Sequence, residues 1–462
     1  MAKVTVRLED GNVVELMGDI GESVKKGGAL LGKGGQGAVY KVKNLNTGKI
    51  CALKRYHAPM KPAFVDNLRK NIAIGAPDDS FLWPQALTEP MGRNKDIRGY
   101  IMDLYDNTKF TTFTKIVKGQ AKFPSKEMQI ATLLDLVGAF EKLHAKGYSY
   151  QDINDGGILF DCTRGQVLIC DNDNVAPYGV NLGIQGKFKW MAPEVAINMF
   201  RPDKYSDRFS LAVLMFYLLT HAHPYDGAKR LSGQLTASLQ EKVYGIEPVF
   251  IYHPTDKSNR PDPQVDVNAI KAWPTLPSFI QDLFVKTFTA GMPSIGKRRE
   301  DLEVERQSRA SEKEWREALI KWTDTITSCP TCKKGVCPPI QDGKILPMTC
   351  PHCGKKIQIK RPVLVVSRNG KTVRSILLDE GKQIPKSSVT KEKSNEPAFE
   401  VIRSKKTVGM YGMINKLPYP MKFSQPGSKD VLIDTDRVVV ASNNVRVDFD
   451  YDYSGLIHYE NK

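Results

Sequence analysis

The chain has 462 residues, 41% of them hydrophobic and 26% charged, with a formal net charge of +16. That length exceeds one typical core and accommodates about two to four domains, and the composition is that of a globular rather than a disordered or fibrous protein. The opening MAKVTVRLEDG lacks the apolar stretch of a secretory signal, and the longest apolar run, Leu211–Thr220, is about half of what a bilayer needs, so a cytoplasmic protein with no membrane span is expected.

Residues 3–17 alternate apolar and polar side chains around Asp10-Gly11, which predicts a β-hairpin. Strand patterns continue at Val39–Val42, Ile50–Leu53 and Gly99–Leu104, with a short helical pattern over 62–73 between them. From about residue 125 the apolar spacing changes to three and four, predicting helices at Met128–His144, Ser206–His221, Pro277–Thr289 and Ser311–Thr325. The reading is α+β: a β-rich part over 1–105, a helical part over 106–327, a cysteine cluster over 328–360 and a strand-like remainder over 361–462. In that remainder Val363–Val366, Val431–Ile433, Val438–Val440 and Val445–Phe449 have strand character, while polar Lys382–Pro397 reads as an exposed loop or disordered insert. More than half of the net charge lies after Cys329. Such an excess permits nucleic acid or another acidic partner, and a solvated basic surface also explains it.

Gly32, Gly34 and Gly37 form G-x-G-x-x-G ahead of Ala38-Val39-Tyr40. Glycines let a tight turn bring backbone N–H groups against phosphate oxygens with no Cβ in the way. A dinucleotide-binding fold needs a helix after the last glycine; here a strand pattern continues, which favours the kinase form of the motif. Lys54 stands on the next strand pattern, seventeen residues after Gly37, where it can pair with the α- and β-phosphates of a nucleotide. Asp152, Asp171 and Ala192-Pro193-Glu194 follow, at separations of 19 and 23 residues. Phosphoryl transfer needs one carboxylate to position the attacking hydroxyl and another to hold Mg²⁺.

In this order the motifs resemble a eukaryotic-type (Hanks-type) protein kinase over residues 28–325, a bilobal fold whose small lobe ends near 105. The resemblance implies that Asp152 orients the hydroxyl, Asp171 holds Mg²⁺ (or Mn²⁺) and Lys54 anchors the phosphates of ATP. It implies a covering loop of Gly32, Lys33, Gly34, Gly35, Gln36 and Gly37, with Val39, Ala52, Met102, Asp103 and Leu104 completing the ATP site. Asp207 matches the aspartate that braces the catalytic loop, and Arg309 the late arginine that pairs with the Glu194 position. Leu143–Gly156, Ile169–Val175, His223-Pro224 and Pro248–Pro254 are further similar to a bacterial kinase group in which a cysteine-rich module and a β-domain follow the kinase. That resemblance implies von Willebrand A-domain and PP2C-type phosphatase partners from tellurite-resistance-like gene clusters.

Four features depart from the family pattern. Gly157 stands where kinases keep the Asn that ligates a second Mg²⁺, and Asp173 stands where the metal loop has Gly. Either Asp173 or Asp155 supplies the missing oxygen, or one metal ion suffices and Asp173 is a surface turn residue. Gln151 replaces the Arg that often receives an activation-loop phosphate, and between Asp171 and Glu194 there is no Ser or Thr, only Tyr178. The two absences agree, and the loop is expected to be set by packing rather than by Ser/Thr phosphorylation. Asn154 replaces the Lys two residues after the base; Lys187 and Lys189 either supply its charge or are solvated lysines. No Glu occurs between Lys54 and Glu89, so the usual lysine partner is missing, with Asp66 the only carboxylate in the 62–73 helix and Asn71 an uncharged alternative.

Five of the eight cysteines fall between Cys329 and Cys353, while Cys51, Cys162 and Cys170 read as buried thiols. Cys329-Pro-Thr-Cys332 and Cys350-Pro-His-Cys353, seventeen residues apart, place four thiolates on two turns that can close a structural, tetrahedral Zn²⁺ site. Cys337 and His352 are nearby alternatives. Val401–Phe449 weakly resembles the later strands of a forkhead-associated-type sandwich, without a clear phosphothreonine-binding signature. The expected function is an ATP-dependent kinase acting on protein Ser/Thr, the residue preference coming from resemblance alone. A pseudokinase scaffold that binds nucleotide and partners without efficient turnover is the alternative; Gly157 and the absent Glu favour it, and intact Lys54, Asp152 and Asp171 oppose it.

Overall fold

The computed structural model describes residues 4–460 apart from 94–95, 184–185, 233–235, 295, 393, 395 and 451. The chain divides into two units, Met1–Trp273 with Phe279–Arg316 and Pro274–Ser278 with Glu317–Lys462.

The first unit opens with seven strands: β1 (Thr5–Arg7), β2 (Val13–Leu16), β3 (Leu30–Lys33), β4 (Gly37–Asn44), β5 (Ile50–Tyr56), β6 (Ala86–Leu87) and β7 (Gly99–Asp103). They form one antiparallel sheet in the order β1-β2-β4-β5-β7-β6, with β3 on β4. Alternation divides the side chains between its faces. Val14, Leu16, Val42, Leu53 and Ile101 build one core, and Ala52, Tyr56, Tyr100 and Met102 pack on the other side against Phe64, Val65 and Leu68 of α1 (Pro62–Ile74). The expected N-terminal hairpin is therefore part of the sheet. Its turn also reaches α1: Glu9 accepts from Arg69 Nε at 3.0 Å and Nη2 at 2.8 Å, and from Arg98, while its own N–H bonds Leu87 O at 2.8 Å.

A helical region follows, with α2 (Phe113–Val117), α3 (Lys126–Ala145), α4 (Pro193–Ala196) and α5 (Lys204–Thr220). Short strands set the loops between them: β8 (Thr111–Thr112) pairs β10 (Ile158–Asp161), which pairs β11 (Gln166–Ile169), and β9 (Tyr148–Ser149) pairs β12 (Ala176–Pro177). Asp203 caps α5 by accepting from Tyr205 N–H and Ser206 N–H, and Ser206 Oγ in turn accepts the Asp203 N–H. The apolar run Leu211–Leu219 is buried on nearly every side, which makes it a core helix. No helix among the described residues is long and apolar enough to cross a membrane. Helices at Ser278–Phe288 and Glu312–Thr325 fall where expected, but Arg299–Gln307 was not anticipated, because only Leu302 and Arg306 in its charged sequence are buried.

The second unit begins with three hairpins of two-residue strands, the first and third of which carry the paired cysteines, and two sheets follow. One sheet orders Lys371–Leu377, Val363–Arg368, Tyr453–His458, Arg446–Asp450, Met421–Ser424 and Val431–Ile433; the other orders Gln383–Pro385, Pro397–Arg403, Tyr411–Asn415 and Val438–Val440. Leu364, Val366, Phe399, Val401, Met413 and Val447 share the core of this sandwich. The exposed loop expected over Lys382–Pro397 is corrected. Gln383–Pro385 is a strand and Lys386–Val389 a turn of helix, burying Ile384, Ser388 and Val389. Two apolar residues among Lys, Ser and Glu are enough to seat the segment and too few to register as a pattern.

Candidate active site

The loop after β9 is held from below by α5. Asp207, at the first turn of that helix, accepts from Tyr150 N–H at 2.6 Å and Gln151 N–H at 3.0 Å. Gln151 adopts φ 72°, a left-handed conformation costly for a non-glycine residue, so the bracing has strain to hold. Behind Asp207, buried His144 bridges two carboxylates, with Nε2 3.1 Å from Asp207 and Nδ1 2.9 Å from Glu312, and Arg208 grips Glu312 with two bonds of 2.8 and 2.7 Å. Burial works against the His144 charge, yet the two carboxylates outweigh it and raise its pKa. Burial likewise opposes the Glu312 charge, and His144 and Arg208 together bring it down to about 2. The His144 contribution to stability is thus complete below an unfolded pKa of about 6.5 and is lost as pH rises through the raised folded value. His144→Gln is expected to cost about 1.5–3 kcal/mol in thermal melts at pH 6, with the gap to wild type narrowing as pH climbs.

Asp152 follows Gln151. Its Oδ1 accepts from Asn154 Nδ2 at 2.8 Å, and Asn154 Oδ1 accepts the Gly156 N–H at 2.8 Å. Burial raises the Asp152 carboxyl above its ordinary value; Asn154 pulls the other way and the Asp171 charge adds to the rise. Lys187 pairs with Asp155, whereas Lys189 lies 2.6 Å from Asp226. Of the two candidate lysines, Lys187 stands at the catalytic loop and Lys189 is engaged elsewhere.

Lys54, on β5, meets the metal loop. Its Nζ lies 3.1 Å from Asp171 Oδ1 and 2.8 and 3.0 Å from the two oxygens of Asp173, which also accept the Tyr56 hydroxyl at 2.6 Å. Burial opposes the Lys54 charge, but Asp173 and then Asp171 hold the ammonium above its ordinary value. Burial, reinforced by the Asp173 charge, raises the Tyr56 and Tyr100 hydroxyls well above theirs. Asp173 is therefore corrected: it is 0% exposed, not a surface turn residue, and both of its oxygens face Lys54 and Tyr56 rather than an open metal position. Asp155 is engaged with Lys187. Neither expected lysine partner on α1 fills that role: Asp66 is exposed and pairs with Arg69 at 2.9 Å, and Asn71 donates to Val175 O at 2.7 Å.

Gly157 has a local cause. The Tyr150 hydroxyl donates to Cys170 O, and a Cβ at position 157 would stand 2.5 Å from that hydroxyl oxygen. The glycine and the tyrosine are one arrangement, since an Asn at 157 has no room while Tyr150 is present.

The ATP-site candidates converge. Val39, Ala52, Met102 and Leu104 share one apolar cluster with Leu159 and Leu168, two residues the sequence reading missed because each sits in an ordinary strand pattern. Asp103 pairs with Lys49 at 2.6 Å at the sheet edge. Lys33 ends β3 opposite Ala38, and Gln36 O accepts the His57 N–H at 2.9 Å. Gly37 lies so close to β5 that a Cβ would reach Arg55 O at 2.5 Å, whereas at Gly32 and Gly35 it would meet nothing within 4 Å. Those two glycines answer to nothing in the protein's own packing and leave backbone open to phosphate. Asp171 gives Oδ1 to Lys54 while its side chain stays 53% exposed, which suits a carboxylate that also binds a cation. This donor set fits Mg²⁺-ATP.

Beyond the metal loop, Gln151 Nε2 donates to Val180 O at 2.7 Å and the Tyr178 hydroxyl bonds His144 O. Buried Glu194 accepts two bonds of 2.8 Å from Arg309 and a third of 2.9 Å from Arg306, the residue hidden in the unanticipated helix. Burial opposes the Glu194 charge, and Arg309 and Arg306 bring its pKa below the ordinary value.

In the second unit the sulfurs of Cys329, Cys332, Cys350 and Cys353 all lie within 4.8 Å of one another, a spacing that suits one tetrahedral ion. Cys337 instead bonds the Thr325 hydroxyl at 2.7 Å, and His352 Nε2 faces Gly335 O at 3.0 Å.

A match to the protein kinase domain covers residues 26–289, more than half of the chain. The chain belongs to the protein kinase family. Among similar proteins, the chain is 26% identical over 232 residues to the MAP kinase kinase kinase mkh1 of Schizosaccharomyces pombe, covering 47% of this chain and 20% of that one. It is 25% identical to the serine/threonine-protein kinase AtPK1/AtPK6 of Arabidopsis thaliana, covering 48% and 47%. It is 28% identical to the mitogen-activated protein kinase kinase kinase MCK1 of Pyricularia oryzae, covering 36% and 12%. The kinase thus spans less than half the length of each of these relatives.

Proposed function

We propose that the chain transfers the γ-phosphoryl group of ATP to Ser or Thr hydroxyls of protein substrates. One observation carries the reading: Lys54 Nζ stands 3.1 Å from Asp171, beside a catalytic loop braced by Asp207. Asp152 orients the attacking hydroxyl and accepts its proton, and its raised pKa makes it a better base than an exposed aspartate. Lys54 anchors the phosphates, the Gly32–Gly37 loop covers them, and Asp171 holds the metal. Bound Mg²⁺ neutralises charge on the transferring phosphoryl group, and the residues supply position. A single metal ion serves, because Asp173 and Asp155 are engaged and Gly157 offers no oxygen. The Gln151–Val180 bond supports an activation segment set without Ser/Thr phosphorylation.

The second unit is read as a structural zinc ribbon followed by a docking or regulatory sandwich. Unbridged cysteine pairs suit a reducing compartment, so the cytoplasm is the proposed location. The resemblance to the bacterial group points to von Willebrand A-domain and PP2C-type partners, and the basic excess to an acidic one.

ATP turnover with Mg²⁺ tests the reading, wild type beside Asp171→Ala. The expected loss is about a hundred- to a thousandfold with the melting temperature nearly unchanged; equal turnover would retire the proposal. Gly157 favours a second reading, a nucleotide-binding pseudokinase. That reading prevails if the wild type binds ATP in calorimetry and turns none over.

A further inference from the structure

We propose that Asp173 is the positioning residue for Lys54, replacing the carboxylate that kinases place on the helix after the lysine strand, so that α1 contributes no charge to the phosphate anchor. The proposal rests on the kinase reading and names a control that the site lacks. In most kinases a Glu on that helix must swing in to pair with the lysine. Here the side of α1 that packs on the Lys54 strand is apolar, with Phe64, Val65 and Leu68. Its one carboxylate, Asp66, is exposed against Arg69.

The counter-charge sits instead on the 3₁₀ turn Asn172–Asn174, next to Asp171. That turn is fixed by neutral bonds. Asn172 Nδ2 donates to Leu82 O at 2.9 Å and Ile169 O at 2.8 Å, and Asn67 and Asn71 of α1 both donate to Val175 O, at 2.8 and 2.7 Å. Asp173, 0% exposed, therefore meets Lys54 with both oxygens and has Tyr56 as a second partner. Without it, buried Lys54 would retain Asp171 as its one carboxylate among the described residues, and that is the carboxylate the metal needs. Lysine and cation would then compete for one group; Asp173 gives the lysine a second carboxylate and eases that competition.

Binding of ATP measured by calorimetry across Mg²⁺ concentrations tests this in full-length protein. Asp173→Asn keeps the shape and removes the charge. ATP affinity is expected to fall about ten- to a hundredfold, and the Mg²⁺ needed for half-maximal binding to rise. Asp66→Ala should change either quantity by less than about twofold. Tyr56→Phe, which removes one hydroxyl, should weaken binding by about three- to tenfold and covers the case in which Asp173→Asn does not fold. Asp173→Asn binding like wild type, Tyr56→Phe binding like wild type where Asp173→Asn does not fold, or Asp66→Ala weakening binding as much, overturns the proposal. A wild type that binds ATP without turnover would retire the kinase reading and leave these contrasts decisive. A wild type that binds no nucleotide would overturn both.

Discussion

Chelation of the protein is expected to release about one zinc ion per chain and to unfold residues 328–360. The reason lies in how little else holds that segment. Its hairpins are pairs of two-residue strands, and its buried apolar side chains are Val336, Ile357 and Ile359, packed around the cysteines themselves. At a few kcal/mol per side chain at most, three such residues do not offset the entropy of ordering some thirty residues. A structural zinc ion contributes about 10–16 kcal/mol near pH 7. Metal release in a colorimetric assay, followed by proteolysis or amide exchange over 328–360, measures the effect, and Cys332→Ser should reproduce it. Protein that carries no zinc as purified and keeps 328–360 protected in chelator would refute the zinc ribbon.

The second large effect concerns Glu194. Its side chain and that of Arg309 are both 0% exposed. Arg309→Ala leaves a buried carboxylate with Arg306 alone, and breaking one arm of a buried ion pair costs about 3–5 kcal/mol. A typical domain has only about 5–15 kcal/mol to lose. The first unit should melt roughly 10 °C lower, read by calorimetry or circular dichroism. Arg309→Lys should recover only part of this, because an ammonium cannot reproduce the two-pronged contact. A fall of less than about 3 °C would show that Arg306 carries the carboxylate.

Chain-order motifs made much of the site legible. Lys54, Asp152, Asp171, Glu194, Asp207 and Arg309 are read from spacing and resemblance, and the structure brings Lys54 to Asp171, Asp207 to the catalytic loop and Arg309 to Glu194. What was not legible lay in three dimensions. Adjacency to Asp171 suggested a metal role for Asp173, and only the distance to Lys54, 119 positions earlier, showed a counter-charge. A signal existed, because a new acid in the metal loop and a missing acid on α1 are complementary. Gly157 reads in sequence as a missing metal ligand, and only its contact with Tyr150 shows what fills the space. Arg306 stayed hidden because most of its helix is charged and only Leu302 and Arg306 are buried.

The contact from Glu9 to Arg69 and Arg98 bears on where the kinase-family fold begins as a physical object. The family match starts at residue 26, yet Leu8, Val14 and Leu16 are buried in the sheet core and β2 is hydrogen-bonded to β4. A shortened chain starting at the family boundary would strip one edge of the sheet, expose apolar side chains of β4 and leave Arg69 without its bidentate carboxylate. The sheet and its core extend beyond the part that carries the family's motifs, and the added strands form its outer edge.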